Sequence, residues 1–439
     1  MTQTTERRKG RRPPLVLDLE TADWSARGAV SATAADRTIP VQRALPGEHV
    51  IAEVHRGRPW RGIARDVLRP APERIEPPCP YYARDCGGCQ WQHMTYDAQV
   101  ITKRRLVDRE MERAGVDIRV GRAERMKEPW RYRRTAALAI GWEAGFRPLL
   151  RRGIVEIHDC PISHSSIGGL ADEINRLLRS GAIPNYHGRV WLDCTVVGSD
   201  TEPALQVLIQ GISGLTLEEH PELPDVAQRV ASLPGVASVA YRHRSGRPVP
   251  LVGDLMSRIE IGGRDMWLPA GSFVQTNLVM VPHVMQRMQA LLQERAATEA
   301  ADIYGGVGTF GLTLAPSVGH MTLIELDPLA VEAARRTAGE WRLENVSFVS
   351  RHAERALPEL PPLDAAIVDP PRSGLGVTVT SALTANRVPL ILYVSCAPPS
   401  LADDLAAFQG DGYRITSLDI FDFYPQTYHV ESLAVLERC

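Results

Sequence analysis

The stretch Ala301-Asp302-Ile303-Tyr304-Gly305-Gly306-Val307-Gly308-Thr309-Phe310-Gly311 limits what this chain can fold into more than any other. An apolar run too short for a helix enters a glycine turn and then a helical pattern, and an amphipathic helix (about Val279 to Arg295) precedes it. That order opens a parallel α/β sheet, in which glycines let a ligand approach the backbone. Further strands follow at regular spacing: Thr322 to Ile324, Val346 to Val349, Ala365 to Val368, and Pro389 to Val394. A final pair is expected at Tyr413 to Phe421 and Val430 to Leu436. Carboxyl ends of such strands face solvent and keep the chemistry.

Those ends carry candidates. Glu325 closes the second strand, where an acid would hold a ribose hydroxyl pair. Gly306, Gly308 and Gly311 complete G-x-G-x-x-G, so the turn alone fits a dinucleotide or S-adenosylmethionine. Asp369-Pro370-Pro371-Arg372 ends the fourth strand, and Val394-Ser395-Cys396-Ala397-Pro398 ends the fifth.

Upstream, short β-like runs at Leu15 to Leu19, Val50 to Val54 and Gly62 to Leu68 predict a small barrel, a form that often binds oligonucleotides. Arg7 to Arg12 make a basic tail ahead of it. Pro70, Pro72, Pro77, Pro78 and Pro80 mark a linker. Next, Cys79, Cys86 and Cys89 form a C-x6-C-x2-C array, with Cys160 as a remote fourth thiol before Pro161. Zinc sites usually pair their cysteines in two doublets, whereas three clustered ligands and a distant fourth favour [4Fe-4S]. His93 to Gly115 reads as a helix, as does Ile167 to Leu178, while Thr135 to Ile140 and Pro203 to Ile209 read as strands. Pro129-Trp130-Arg131-Tyr132-Arg133-Arg134 interleaves aromatics with arginines, a composition suited to phosphate contact and base stacking.

Composition narrows the class. With 439 residues, 44% of them hydrophobic, the chain can build two or three cores. Its 50 basic and 52 acidic residues leave a net charge of −2, so any nucleic-acid surface must come from local clustering. Absence of a long apolar run and of a signal peptide predicts a cytoplasmic protein with no membrane partner. Seven cysteines then point to metal or catalysis instead of disulfides.

A thiol and a carboxylate at one sheet edge would permit a definite reaction. If the last strand inserts antiparallel beside the fifth, as in a seven-stranded methyltransferase sheet, Glu431 lies near Cys396 and Asp369 shares their edge. The C5 of uracil is a weak nucleophile, but a thiolate adding at C6 creates an enolate with density at C5. After methyl transfer a base must remove the C5 proton, and Glu431 is placed for that.

With Cys86-Gly87-Gly88-Cys89, Gln92-His93, Phe273-Val274-Gln275-Thr276-Asn277, Asp369-Pro370-Pro371-Arg372, Ser395-Cys396 and His429-Val430-Glu431-Ser432 in this order, nearly the whole chain resembles the S-adenosylmethionine-dependent RNA uracil-5-methyltransferases, in particular the branch with a TRAM domain and a [4Fe-4S] cluster. The resemblance implies an α/β fold, a seven-stranded Rossmann-like methyltransferase domain with a central α+β domain and an N-terminal small β-barrel (OB-like TRAM). It implies a basic tail at 1–14, the barrel at 15–70, a central domain at 71–92 and 125–268, and the methyltransferase domain at 93–124 and 269–439. It assigns Cys79, Cys86, Cys89 and Cys160 to the cluster, Gln275, Tyr304, Glu325 and Asp369 to S-adenosylmethionine, Cys396 as nucleophile and Glu431 as base. The expected substrate is RNA, ribosomal ahead of transfer RNA, and the expected state a monomer.

Three positions depart from the family pattern. Ala397 stands where an asparagine is usual, Asp403 where an arginine is usual, and Gly305 where a cysteine is usual. Two other classes stay open: an RNA-binding protein of this fold without catalysis, which fits the loss at Ala397, and a base amino-methyltransferase using Asp369-Pro370-Pro371, which would not need Cys396.

Overall fold

The computed structural model describes residues 13–34, 36–211, 216–244 and 246–439. The basic stretch Arg7 to Arg12 lies outside them. The described residues fall into two compact units: those up to Gln99 with Pro148–Arg152 and Gln426–Tyr428, and those of Val100–Arg147, Gly153–Pro425 and His429–Cys439.

In the first unit, β1 (Leu15–Trp24), β2 (Val30–Ala34), β3 (Arg37–Gln42), β4 (His49–His55) and β5 (Arg61–Arg69) close into a barrel in the order β1-β2-β3-β5-β4. Alternation drives the closure: in β4 every second residue is buried, so Val50, Ala52 and Val54 join Val30, Ile39 and Val41 inside. Strands β2 and β3 escaped the sequence reading because Ser31, Thr33, Arg37 and Pro40 dilute their apolar pattern. The proline stretch is irregular up to Cys79, but Pro80 starts a short helix, Pro80–Ala83, where its missing N–H costs nothing.

The second unit holds two sheets. After the two-residue β6 (Ala123–Glu124), a nine-stranded sheet forms from β7 (Thr135–Ile140), β8 (Ala144–Phe146), β9 (Val155–Glu156), β10 (Val190–Gly198), β11 (Pro203–Gly211), β12 (Val236–His243), β13 (Val249–Val252), β14 (Met256–Ile261) and β15 (Arg264–Pro269). Helices Ser165–Arg179 and Leu223–Ala231 press Ile167, Leu170, Ile174, Val226 and Val230 into its core.

The other sheet contains β16 (Glu299–Ile303), β17 (His320–Ile324), β18 (Val346–Val349), β19 (Ala365–Val368), β20 (Leu390–Ser395), β21 (Tyr413–Phe421) and β22 (Glu431–Arg438). Its order is β18-β17-β16-β19-β20-β22-β21-β6. Neighbours from β18 to β20 run parallel, and β22 enters antiparallel between β20 and β21. Every residue of β19 and β20 is buried, which explains their uninterrupted apolar sequences. The sheet has eight strands where seven were expected, because Ala123–Glu124 pairs along the otherwise open edge of β21. Helix Tyr96–Arg113 contributes Val107 and Met111 to this core.

The aromatic and arginine stretch Pro129 to Arg134 is only partly turned inward, since Trp130 and Arg133 are half-buried and Arg131 is exposed. Tyr132 is buried and donates from its hydroxyl to the Pro425 carbonyl at 2.9 Å, while Arg131 pairs with Asp159 and the buried Arg134 with Asp200.

Candidate active site

Strand register assembles the reactive edge. In the β20–β22 pair Ser395 faces Ser432, so the next position sets Cys396 beside Glu431. On the other side of β20, Val368 faces Tyr393, so Asp369 leaves β19 along the same edge. Three chain segments remote in sequence thus deliver a thiol and two carboxyl groups to one place.

The electrostatics there are unusual. Burial, and then the charge of Glu431, raises the Cys396 thiol to about 11, while Arg372, which hydrogen-bonds it, acts in the opposite direction. Glu431 is 2% exposed and is held well above the ordinary carboxylate range by burial and then by Asp369; the Tyr424 hydroxyl and Arg372 oppose that shift. Asp369 rises to about 7 through burial and the neighbouring Asp302. Asp302, 1% exposed, also rises to about 7 by burial, although its Oδ2 accepts the Gly311 N–H at 2.8 Å. Around neutral pH Asp302 and Asp369 are poised between charge states, a pattern typical of functional sites.

The glycine turn beside it is built for a ligand. Gly308 has φ +88°, and a Cβ there would lie 2.5 Å from Leu312 Cγ, so only glycine fits. At Gly306 the same atom would meet nothing within 4 Å, leaving the backbone open to an incoming group. Tyr304 takes a positive φ of 66° at the end of β16, uncommon for a bulky residue. Glu325 follows β17, its Oε2 accepting Gly306 N–H at 3.0 Å and its Oε1 Asp327 N–H at 2.8 Å. Gln275 donates from Nε2 to Asp369 Oδ2 at 3.1 Å, and its own Oε1 has no partner, as is true of Asp302 Oδ1. A carboxylate at a strand end, an open glycine turn, two buried polar atoms lacking partners and an acidic edge suited to a cation fit S-adenosylmethionine.

The predicted cluster ligands are placed differently. Cys79, Cys86 and Cys89 are buried in the first unit, Cys160 is half-buried in the second, and none forms a disulfide. Among the described residues no group of three or more His, Cys, Asp or Glu side chains is gathered to hold a metal. As thiols outside disulfides, their chemistry suits iron or zinc. Cys194 is buried in β10 and Cys439 is exposed.

The three departures have local accounts. Ala397 caps the helix Pro398–Gly410 without a side-chain hydrogen bond, and Ser395 Oγ takes its N–H at 3.1 Å. Asp403 points outward on that helix and pairs with Arg113 at 2.8 Å. At Gly305 a Cβ would lie 2.7 Å from Leu323 Cγ and 2.9 Å from Asp302 Oδ2. Asp302, Tyr424 and the buried Lys103–Asp422 pair escaped sequence reasoning. Asp302 alone carried a signal, being an acid inside the apolar run Ala300-Ala301-Asp302-Ile303.

Fold and site together define an S-adenosylmethionine-dependent methyltransferase. The family model described as tRNA (Uracil-5-)-methyltransferase matches residues 362–439. A 23S rRNA (uracil(1939)-C(5))-methyltransferase of Pseudomonas entomophila is 31% identical over 420 residues, 91% of this chain and 89% of the relative. Its counterpart in Pseudomonas putida is 30% identical over 442 residues, 96% of this chain and 93% of the relative. The Pyrococcus abyssi tRNA (uracil-54, C5)-methyltransferase, solved with S-adenosyl-L-homocysteine, shares the fold with TM-score 0.72 at 22% identity, across 96% of this chain and 100% of that one. The chain belongs to the RNA uracil-5-methyltransferase family.

Proposed function

We propose that this protein methylates C5 of a uridine in ribosomal RNA through a covalent adduct to Cys396. The observation carrying the reading is the β20–β22 register, which sets Cys396 beside Glu431 at the edge shared with Asp369. The ribosomal substrate is supported by the names of the relatives similar along nearly the whole chain.

Bound S-adenosylmethionine supplies an electrophilic methyl group, and Gln275, Tyr304, Glu325 and Asp369 are the residues we assign to hold it. Cys396 attacks C6 of the uracil as thiolate, with Arg372 hydrogen-bonded to the sulfur as the countercharge. Density moves to C5, which takes the methyl group as the S–CH3 bond breaks, and the donor's sulfur keeps that pair and leaves as a neutral thioether. Glu431 then removes the C5 proton, the C5–C6 double bond returns and the Cys396 thiolate leaves. Burial of Glu431 raises its affinity for that proton, which suits a base. A stacked uridine must first be flipped out, at about a few kcal/mol.

We also propose a [4Fe-4S] cluster on Cys79, Cys86, Cys89 and Cys160, supported only by the donor chemistry of four thiols outside disulfides; no catalytic step passes through it. Iron and visible absorbance after anaerobic purification would support it, and zinc alone would refute it. The domain layout we propose is that implied by the family resemblance, with the barrel as an RNA-binding module.

RNA carrying 5-fluorouridine tests the mechanism, because fluorine at C5 leaves no proton to remove. A stable protein–RNA adduct is expected in the presence of S-adenosylmethionine and should vanish in Cys396→Ala. No adduct with ribosomal RNA from a strain lacking this enzyme would sink the mechanism, and methylation of an exocyclic nitrogen would replace it with the amino-methyltransferase reading.

A further inference from the structure

Glu431 must lose its proton to serve as a base, yet it is almost wholly buried and faces another acid. Its Oε1 has no hydrogen-bond partner. The Tyr424 hydroxyl bonds the carboxyl group. Tyr424 is itself fixed by an arrangement with no other evident purpose. Lys103 Nζ donates to Asp422 Oδ1 at 2.6 Å and to the Tyr424 carbonyl at 2.9 Å, and the Tyr424 N–H donates to Asp422 Oδ1 at 3.2 Å. Lys103 is 1% exposed, so a buried ion pair clamps the segment that carries the phenol. The Tyr424 ring also meets the His429 ring edge-on, with centroids 5.8 Å apart.

We propose that Tyr424 is a positioning residue for the base: its hydroxyl donates to the Glu431 carboxylate and leaves Oε1 to receive the C5 proton, while the Lys103–Asp422 pair holds Tyr424 in place. The inference rests on reading Glu431 as the base. In the step concerned, the C5–H bond breaks and its proton passes to Glu431 Oε1. The electron pair forms the C5–C6 double bond, and the C6–Sγ bond breaks to release the Cys396 thiolate.

The groups facing Glu431 are Asp369, Arg372, Cys396 and Tyr424; those facing Tyr424 further include Arg133, His429 and the Lys103–Asp422 pair. Asp369 opposes ionisation of Glu431, whereas Arg372 and Tyr424 favour it. Burial and the surrounding acids keep the phenol protonated, so it remains a donor throughout. A neutral donor suits this place, since it stabilises the carboxylate without adding a charge that the Cys396 edge would feel.

The experiment compares full-length wild type, Tyr424→Phe, Glu431→Gln and Cys396→Ala on ribosomal RNA lacking 5-methyluridine, with S-adenosylmethionine. Denaturing gels follow the covalent adduct on ordinary uridine across pH, and the 5-fluorouridine RNA reports attack by Cys396 alone. We expect Tyr424→Phe to trap 5-fluorouridine RNA at the wild-type rate. It should release the ordinary adduct about tenfold to a hundredfold more slowly, the factor for losing one hydrogen bond to a charged group, with its pH midpoint about one unit higher. Wild-type release and an unmoved pH profile in Tyr424→Phe, while Glu431→Gln accumulates adduct, would overturn the role of Tyr424 and leave the base in place. Equal losses in trapping and release would also overturn it, as they mark a merely structural side chain. If Glu431→Gln accumulates no adduct although Cys396→Ala forms none and wild type turns over, the base assignment itself falls, and this inference with it.

Discussion

Replacing Asp302 by asparagine should stabilise the folded protein, and do so increasingly as pH rises. Asp302 is 1% exposed, its Oδ1 has no partner, and its carboxyl is raised from the ordinary 3.8 to about 7, first by burial and then by Glu325. Between those two values the folded state holds a proton that the unfolded chain has released. Stability therefore falls as pH climbs through that window and levels off above it. Roughly three units at about 1.36 kcal/mol each put the wild-type penalty near 4 kcal/mol at pH 8, an upper figure. Asparagine abolishes this penalty and can still accept the Gly311 N–H now bound at 2.8 Å, at the cost of about 1 kcal/mol for a weaker neutral bond. Asp369 is raised partly by Asp302, so neutralising one relieves the other in the same direction. Parallel urea titrations of wild type and Asp302→Asn at pH 5, 6, 7 and 8 read the gap. It should widen by about 2 to 3 kcal/mol between pH 5 and 7 and stay constant beyond. A gap that is flat, or that narrows as pH rises, refutes the reasoning.

Lys103→Met keeps the volume but leaves Asp422 buried without its cation; we expect about 3 kcal/mol of lost stability in urea titration, with most of it recovered in Lys103→Met/Asp422→Leu. Gly305→Cys brings in a Cβ within 2.7 Å of Leu323 Cγ and should cost about 1 to 3 kcal/mol, read as a lowered unfolding midpoint. Ala397→Asn supplies the missing cap of helix Pro398–Gly410 and should add about 1 kcal/mol, with no gain if the side chain fails to reach the helix N–H groups. With its thiol raised to about 11, Cys396 should react slowly with iodoacetamide at pH 7 and progressively faster towards pH 10, measured by mass spectrometry of the labelled peptide.

Strands ending in the reactive edge were legible because they are buried on both faces. Ala365–Val368 is buried throughout and begins and ends where its apolar run does, and Leu390–Ser395, equally buried, follows the run Pro389 to Val394 to within one residue. Barrel strands β2 and β3 were not, since a half-exposed strand of five or six residues leaves too few buried positions to show a period. The stretch Trp130 to Arg134 was legible only in part for a related reason. Aromatic and arginine side chains suit RNA and also suit buried hydrogen bonds, and only the presence of Asp159, Asp200 and the Pro425 carbonyl decides between them.

The electrostatic character of the site was beyond the sequence for a stronger reason. Asp302, Asp369, Cys396 and Glu431 come from four strands or strand ends, and each alone reads as an ordinary residue. Their altered proton affinities arise because parallel β16 and β19 and antiparallel β22 bring them to one dry edge. There each acid discourages ionisation of the next, and Arg372 supplies a positive charge. A cationic methyl donor entering beside Asp369 would relieve that repulsion and favour the charged forms of Asp369, Glu431 and Cys396 together. Donor binding and activation of the nucleophile would then be one electrostatic event, which makes the order of binding a property of the sheet's topology as much as of any single residue.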